Sequence, residues 1–254
     1  MGNITRDFRV PTMTQDTAVT IAIHEPVLTE DNLGLKTWAS SYVLAKKWAG
    51  LASHISSSSS CNDPLPWILE LGAGTGLVGI AAATVLATKI LLTDLPEIVP
   101  NLERNIEANS TVVASRNGSA QAAVLDWSDP ATIVPSSKTG AAQPDDNIPE
   151  QFMIIVAADP IYSKEQPVLL AQTIAYRLAR SPSARAVIEW PIREAYAQER
   201  NDFKSEMAAR DLELFREESD VGFDDWSTGR EEEPSEVECW MGMWRWKVMP
   251  VPPA

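Results

Sequence analysis

The residues 72–76, Gly72-Ala73-Gly74-Thr75-Gly76, follow the apolar run Ile68-Leu69-Glu70-Leu71 and precede a second apolar stretch that begins at Leu77. Glycines between a buried strand and a helix start let the main chain turn sharply and let a ligand lie against it, while the helix N-terminus offers free N–H donors. That is the chemistry of a nucleotide-cofactor loop. Gly74-x-Gly76-x-x-Gly79 also matches the dinucleotide fingerprint, and Asp94 stands where a ribose-binding carboxylate is expected for either kind of cofactor. The neighbouring residues separate the two kinds. Glu70, which closes the strand, suits the cationic amino end of a methionine moiety and would repel a pyrophosphate. Asp126-Trp127 offers an acceptor for an exocyclic adenine amine and an aromatic face for the ring.

A second constellation, Asp159-Pro160-Ile161-Tyr162, follows the apolar run 152–157. At the carboxyl edge of a parallel strand both side chains can point into the crevice where open α/β sheets bind ligands. Glu70-Leu71-Gly72-Ala73-Gly74-Thr75-Gly76, Thr93-Asp94-Leu95, Leu125-Asp126-Trp127 and Asp159-Pro160-Ile161-Tyr162 together resemble the successive motifs of the seven-β-strand S-adenosylmethionine-dependent methyltransferases. More narrowly they resemble methyltransferase family 16, the protein-lysine N-methyltransferases marked by Asp-x-x-Tyr. The segment Asn32-Leu33-Gly34-Leu35-Lys36-Thr37-Trp38-Ala39-Ser40-Ser41 resembles that family's lead-in, and residues 29–38 are similar to fungal elongation-factor lysine methyltransferases. The likeness runs from about Glu25 to the closing strand.

The resemblance implies a Rossmann-like α/β fold: a seven-stranded, mostly parallel sheet with helices on both faces and an antiparallel C-terminal strand. It implies S-adenosyl-L-methionine as cofactor and S-adenosyl-L-homocysteine as product. Gly72 and Gly74 would contact the methionine part, with Glu70, Ala73 and Gly76 beside them. Asp94, next to Leu95, would hold the ribose hydroxyls, and Asp126 with Trp127 the adenine. Trp38 and Ala158 would line the same pocket. Asp159 and Tyr162 would sit beside the transferable methyl group, where a substrate amine enters. The implied partner is a protein with an exposed lysine, plausibly a translation elongation factor, and the implied enzyme is a cytoplasmic monomer.

The residue chemistry agrees with this implication. Methyl transfer is an in-line displacement on a sulfonium methyl, dominated by positioning and desolvation. A lysine arrives protonated, its ordinary pKa being about 10.4, so the site must attract a cation and then release a proton. Asp159 can hold the ammonium, and the Tyr162 hydroxyl can accept from or donate to the nitrogen. Three other readings are a small-molecule N-methyltransferase, a cofactor-binding scaffold without catalysis, and an NAD-dependent dehydrogenase. The intact Asp159 and Tyr162 argue against the scaffold, and no recognisable hydride-transfer site supports the dehydrogenase.

These residues need an alternating strand and helix framework to hold them, and the apolar periodicity supplies one. Strands are predicted over 18–23, 67–71, 89–93, 122–125, 152–157, 186–189, 212–216 and 237–248. Helices are predicted over 37–54, 77–86, 100–109, 164–178 and 195–210, with Ser163 and Gln166 forming a capping box for the fourth. Residues 1–36 read as an extension carrying one short strand, and 37–254 as the methyltransferase domain. Trp240, Trp244 and Trp246 alternate at strand spacing and are expected to pack into the core. Segments 56–66 and 128–150 read as flexible insertions. The stretch 217–238 holds ten acidic residues and one basic, Arg230, so 217–236 reads as a solvated, mobile connection. It also favours a Lys-rich partner surface.

The 254 residues are 44% apolar, enough for a buried core, and carry a formal charge of −14, which argues against binding the phosphate backbone of a nucleic acid. No apolar run is long enough to cross a bilayer. The first residues lack the apolar stretch of a signal peptide, and Arg6 stands where a myristoylation pattern needs Ser or Thr. The two cysteines, Cys61 and Cys239, fit neither a disulfide framework nor a metal site, so no metal is expected and a reducing intracellular compartment is. His24 and His54 are isolated and read as structural or exposed rather than catalytic, and the Asn-x-Ser/Thr triplets at Asn3, Asn109 and Asn117 would matter only in a secreted chain.

Overall fold

The computed structural model describes residues 4–14, 16–26, 33–55, 66–136, 147–224 and 235–247. The expectations for Asn3, Cys61, residues 29–32 of the lead-in and nearly all of segment 56–66 fall outside them.

An N-terminal hairpin comes first: strand β1 (Ile4–Pro11) pairs antiparallel with β2 (Ala18–Glu25), from Ile4 opposite Glu25 to Pro11 opposite Ala18. The expected lone strand over 18–23 therefore has a partner, because Phe8 and Val10 alternate with Arg9 and Thr5 in the period of a strand. After helix α1 (Ala39–Ile55) the parallel units begin: β3 (Ile68–Leu71), α2 (Leu77–Leu86), β4 (Lys89–Asp94), α3 (Val99–Ala108), α4 (Ser110–Ser115) and β5 (Ser119–Val124). Then come β6 (Val134–Pro135), β7 (Ile154–Ala158), α5 (Gln166–Arg177), β8 (Arg185–Pro191), α6 (Ala197–Ala209), β9 (Leu212–Asp224) and β10 (Ser235–Trp246).

The main sheet has the order β6-β5-β4-β3-β7-β8-β10-β9. Strands β3, β4, β5, β7 and β8 are parallel, and β10 runs antiparallel to both β8 and β9. The seven expected strands are all present, and the two-residue β6 adds an eighth, antiparallel to β5 at the edge. From β3 the chain builds outward to β4 and β5, then returns to add β7 and β8 on the other side. Ligand crevices of open α/β sheets form at such a switch point, outside the carboxyl ends of the strands.

Strand β3 and helix α2 are buried along their whole lengths, as the centre of a two-sided sheet requires. Helices α1 to α4 and the hairpin pack on one face, where Leu44, Trp48, Ile80 and Ile106 join Met241 and Met243 of β10. On the other face α5 and α6 contribute Leu170, Ile174, Phe203 and Met207, packed with Trp240, Trp244 and Trp246. The alternation expected for the three tryptophans holds, with Met241 and Met243 pointing the opposite way.

One expected insertion is corrected in part. Within 217–236 the described residues are strand: β9 continues through Glu217, Glu218 and Asp220 to Asp224, and β10 begins at Ser235. Backbone pairing is indifferent to carboxylates: Glu217 and Asp220 are exposed, Asp224 is buried, and 225–234 lies outside the described residues. Of the expected insertion 128–150, residues 137–146 lie outside the described residues, and its two ends are held by Arg177, which donates to the carbonyls of Pro130 (2.8 Å), Ala131 (2.7 Å) and Glu150 (3.0 Å). Of the expected capping box one half is present: the Gln166 carboxamide oxygen accepts from the Ser163 and Tyr162 N–H groups at 2.9 and 2.6 Å.

Asparagines on α3 tie the hairpin to the sheet. Asn105 accepts from His24 N (2.8 Å) and donates both to the His24 carbonyl and, at 2.9 Å, to the Thr75 carbonyl in the glycine loop. Asn109 holds Ala22 in the same two-bond manner. His24 is buried, and burial with the Arg104 charge lowers its pKa, so it is a neutral packed side chain.

Candidate active site

The glycine loop leaves β3 with three residues in the left-handed region: Gly72 at φ 66°, Gly74 at φ 57° and Gly76 at φ 86°. Only glycine adopts such angles at little cost. Ala73 N donates to the Thr93 carbonyl at 2.9 Å and Gly76 N to the Ala73 carbonyl at 2.8 Å, which folds the loop over the ends of β3 and β4. The Asp94 carboxylate accepts from Gly74 N at 2.7 Å and from Leu95 N at 2.8 Å. Burial pushes its pKa up to about 6 against the opposing pull of these two amides.

The lead-in from the hairpin is fastened to this loop. Glu25, ion-paired to Arg6 at 3.2 Å, accepts from Thr37 N at 2.9 Å, and the Thr37 and Thr75 hydroxyls lie 2.8 Å apart. Trp38 follows directly, and Lys36 and Arg193 both stand 5.4 Å from its ring centroid.

Eleven of the expected site residues line one cavity of about 460 Å³: Trp38, Gly72, Ala73, Gly74, Asp94, Leu95, Asp126, Trp127, Ala158, Asp159 and Tyr162. Its volume suits a small-molecule cofactor. At one end Trp127 lies against Gly72, where a β-carbon would come within 3.2 Å of the indole. Asp126 is exposed and accepts from Ser128 N at 2.8 Å, and its hydrogen bonds with Ser128 lower its pKa.

At the other end Asp159, just past β7, adopts φ 52°, a left-handed conformation that costs a residue with a side chain on the order of 1 kcal/mol. Its N–H donates to the Glu189 carbonyl at 2.7 Å, which holds the turn. Its side chain is 10% exposed and stands 3.9 Å from Arg193. Burial pushes the Asp159 pKa up to about 7; Arg193 opposes this and the Asp224 charge adds to it. Tyr162 is half-exposed, and burial together with the Asp94 charge raises its phenol pKa, so the hydroxyl stays protonated at neutral pH.

Two expected residues are not in the cavity. Glu70 is buried beneath the loop, with Oε2 only 2.4 Å from where a β-carbon on Gly79 would stand. Burial raises its pKa well above the usual range and the Gly79 N–H opposes that. On β3 its side chain follows the pleat toward α2, whereas the cavity lies beyond the strand's end. Gly76 also faces inward: a β-carbon there would meet Leu102 at 2.5 Å, so this glycine serves helix packing.

The cavity also includes residues to which the sequence assigned no part in a site, among them Lys36, Glu97, Leu169, Tyr196 and Arg193, together with the capping residue Gln166. Arg193 follows β8 by two residues, so its place at a strand's carboxyl edge was a usable signal. Its partner Asp224, at 2.7 Å, had none, being one acid within an acidic run.

A family model described as lysine methyltransferase matches residues 16–205. The chain is 36% identical to the protein-lysine N-methyltransferase EFM2 of Saccharomyces cerevisiae over 82% of this chain and 49% of that protein. It is 32% identical to the EEF1A lysine methyltransferase 3 of Xenopus tropicalis over 43% of this chain and 40% of that one. The chain thus spans about half the length of these relatives or less. Among solved structures, a candidate RNA methyltransferase from Pyrococcus horikoshii superposes with a TM-score of 0.57 at 10% identity, covering 85% of this chain and 90% of that one, a likeness of fold alone. With three-quarters of its length matched by the family model, on the same residues that build the cavity, the chain belongs to the lysine methyltransferase family.

Proposed function

We propose that this chain transfers a methyl group from S-adenosylmethionine to a lysine side chain of a protein, with a translation elongation factor as the substrate class. The observation that carries the reading is the joining of the glycine loop, Asp94 and Trp127 with Asp159 and Tyr162 in one cavity. The likeness to an EEF1A lysine methyltransferase supports the substrate class.

The residues fit the cofactor. A β-carbon on Gly72 or Gly74 would crowd the loop, so the bare main chain is the cradle. Asp94 keeps lone pairs beyond those used by Gly74 and Leu95, which suit vicinal ribose hydroxyls. Trp127 offers a flat apolar face for a purine, with the exposed Asp126 carboxylate beside it as an acceptor. When bound, the cofactor supplies a methyl group on a sulfonium sulfur, which keeps the C–S electron pair as the amine nitrogen forms the new C–N bond.

This chain's own residues handle the amine. Above pH 7 Asp159 is ionised and accepts hydrogen bonds from the incoming ammonium. The Tyr162 hydroxyl orients the nitrogen, and its ring narrows the entrance against water. The proton leaves to water as the amine aligns, which frees the lone pair for attack. A monomer is the proposed active unit. The cytoplasm is the proposed compartment, where elongation factors work; among the described residues no helix is long and apolar enough to cross a membrane.

The test supplies S-adenosylmethionine with a labelled methyl group to the protein and an extract lacking the endogenous transferase, followed by mass spectrometry of labelled bands. Label on a lysine of an elongation factor is expected. Asp159→Asn should keep cofactor binding by calorimetry and lose turnover by about a hundredfold or more. Label confined to small molecules, or full activity of the variant, would overturn the reading.

A further inference from the structure

Arg193 sits between two carboxylates and is bonded unequally to them. Its Nη2 is 2.7 Å from Asp224 Oδ2, while its Nη1 is 3.9 Å from Asp159 Oδ2. Asp224 is itself fixed: it is 6% exposed, and its other oxygen accepts from Ala39 N, the first residue of α1, at 3.2 Å. The Arg193 main chain is tethered as well, since Arg200 donates to its carbonyl. Arg193 also faces the Trp38 ring. Asp224 therefore ties together the β9 end, the start of α1 next to the cavity-lining Trp38, and the cation that faces Asp159.

We propose that Arg193 is a positioning residue: gripped by Asp224, it lends its charge to Asp159 across a gap it does not close, which leaves that carboxylate for the ammonium of the incoming lysine. A guanidinium in direct contact with Asp159 would compete with the substrate cation. One drawn away altogether would leave a buried carboxyl that keeps its proton and binds no ammonium. The unequal bonds hold the site between these extremes. The inference rests on the reading of Asp159 as the group that receives the amine.

The other groups near Asp159 do not take this role. Glu189 on β8 meets it through a main-chain carbonyl, and its own carboxylate lies 3.4 Å from Lys47. The Cys239 thiol on β10 is pushed up to about 12 by burial and the surrounding carboxylates, so it is neutral. The Tyr162 phenol stays protonated.

The experiment compares Arg193→Gln, Arg193→Lys and Asp224→Asn with the unmodified protein. It measures KM and kcat for the protein lysine across pH, and titrates carbon-13-labelled aspartate carboxyls by NMR, with Asp159 assigned through Asp159→Asn. Asp224→Asn retains an oxygen for Ala39 N, so α1 keeps its anchor. The expected signature is two opposite displacements of the Asp159 midpoint. Arg193→Gln moves it to higher pH by about one unit. Asp224→Asn moves it to lower pH, partly because the Asp224 charge that raised it is gone, and KM rises about tenfold with kcat little changed, because the released arginine closes on Asp159. Arg193→Lys restores most of the first displacement. Midpoints that stay put, or shift the same way in both variants, or a KM unchanged in Asp224→Asn, would overturn the clamp. If the unmodified protein methylates no lysine, the proposed function fails, and the clamp is still decided by whether Arg193→Gln, added to Asp224→Asn, raises the Asp159 midpoint by more than it does alone.

Discussion

The main chain of Gly34 passes so close to the glycine loop that a β-carbon on Gly74 would stand 2.8 Å from the Gly34 carbonyl oxygen. Gly74 also lies at φ 57°, so a side chain there meets both a steric and a conformational barrier. Gly74→Ala is expected to lower stability by about 1–2 kcal/mol and to weaken cofactor binding, because the loop must move away from Asp94 or from the lead-in. Gly50 on α1 is the control: a β-carbon there meets nothing within 4 Å, and Gly50→Ala should stabilise by about 0.4–1 kcal/mol. Urea unfolding and calorimetry check both. Equal effects at the two positions would refute the assignment.

Asp94 titrates near 6, above the ordinary carboxylate range, because burial outweighs its amide partners. Only its ionised form offers both oxygens to the Gly74 and Leu95 amides while keeping lone pairs for hydroxyls. Affinity for S-adenosylmethionine should hold above pH 7 and fall as pH drops through 6. Asp94→Asn should remove that pH dependence and weaken binding roughly ten- to a hundredfold, the worth of a charge-assisted hydrogen bond. Binding isotherms at pH 5 and pH 8 decide the matter.

Glu189 is fully buried on β8, 3.4 Å from Lys47, and burial pushes its pKa up to about 7 despite that cation. The folded protein therefore holds a proton over the interval from the ordinary glutamate value to 7, where the unfolded chain has already released it. The stability this confers is complete at low pH and declines as pH rises through 7. Glu189→Gln does not titrate, so relative to the unmodified protein it should gain on the order of 2 kcal/mol between pH 5 and pH 8. Lys47 retains Glu218 at 3.9 Å in the variant. Parallel melting curves at the two pH values would show that Glu189 stays ionised in the fold.

Arg177 is 5% exposed and satisfies carbonyls on both ends of the segment between β5 and β7. Arg177→Met keeps the packed stem but leaves these acceptors without their donor. A loss of about 2–4 kcal/mol is expected, with faster proteolysis within residues 128–150. Unchanged cleavage would mean that the segment is held by other contacts.

Much of the fold was legible because its signals are local. The glycine loop, the fully apolar α2 and the runs that became β3, β4 and β7 carry their structure in their own composition and period. The same locality made the 217–236 stretch misleading. Charge density suggested a solvated connection, but ladder pairing with β10 decides the structure there, and pairing is a property of two segments. The hairpin partner β1 was missed for a similar reason: its worth as a strand depends on β2 and on the asparagines of α3.

By itself the sequence determined the order of strand, glycine loop, helix and acid, and with it the type of fold and eleven of the residues that line the cavity. Backbone angles, apolar periodicity and turn chemistry act over a few residues and can be read there. Tertiary structure alone decided that Glu70 turns under the loop, that Gly76 serves packing, and that Arg193 is held by Asp224 beside Asp159. Those outcomes depend on which way a side chain points from a pleated strand and on charges brought together from three distant segments, and no local pattern encodes either.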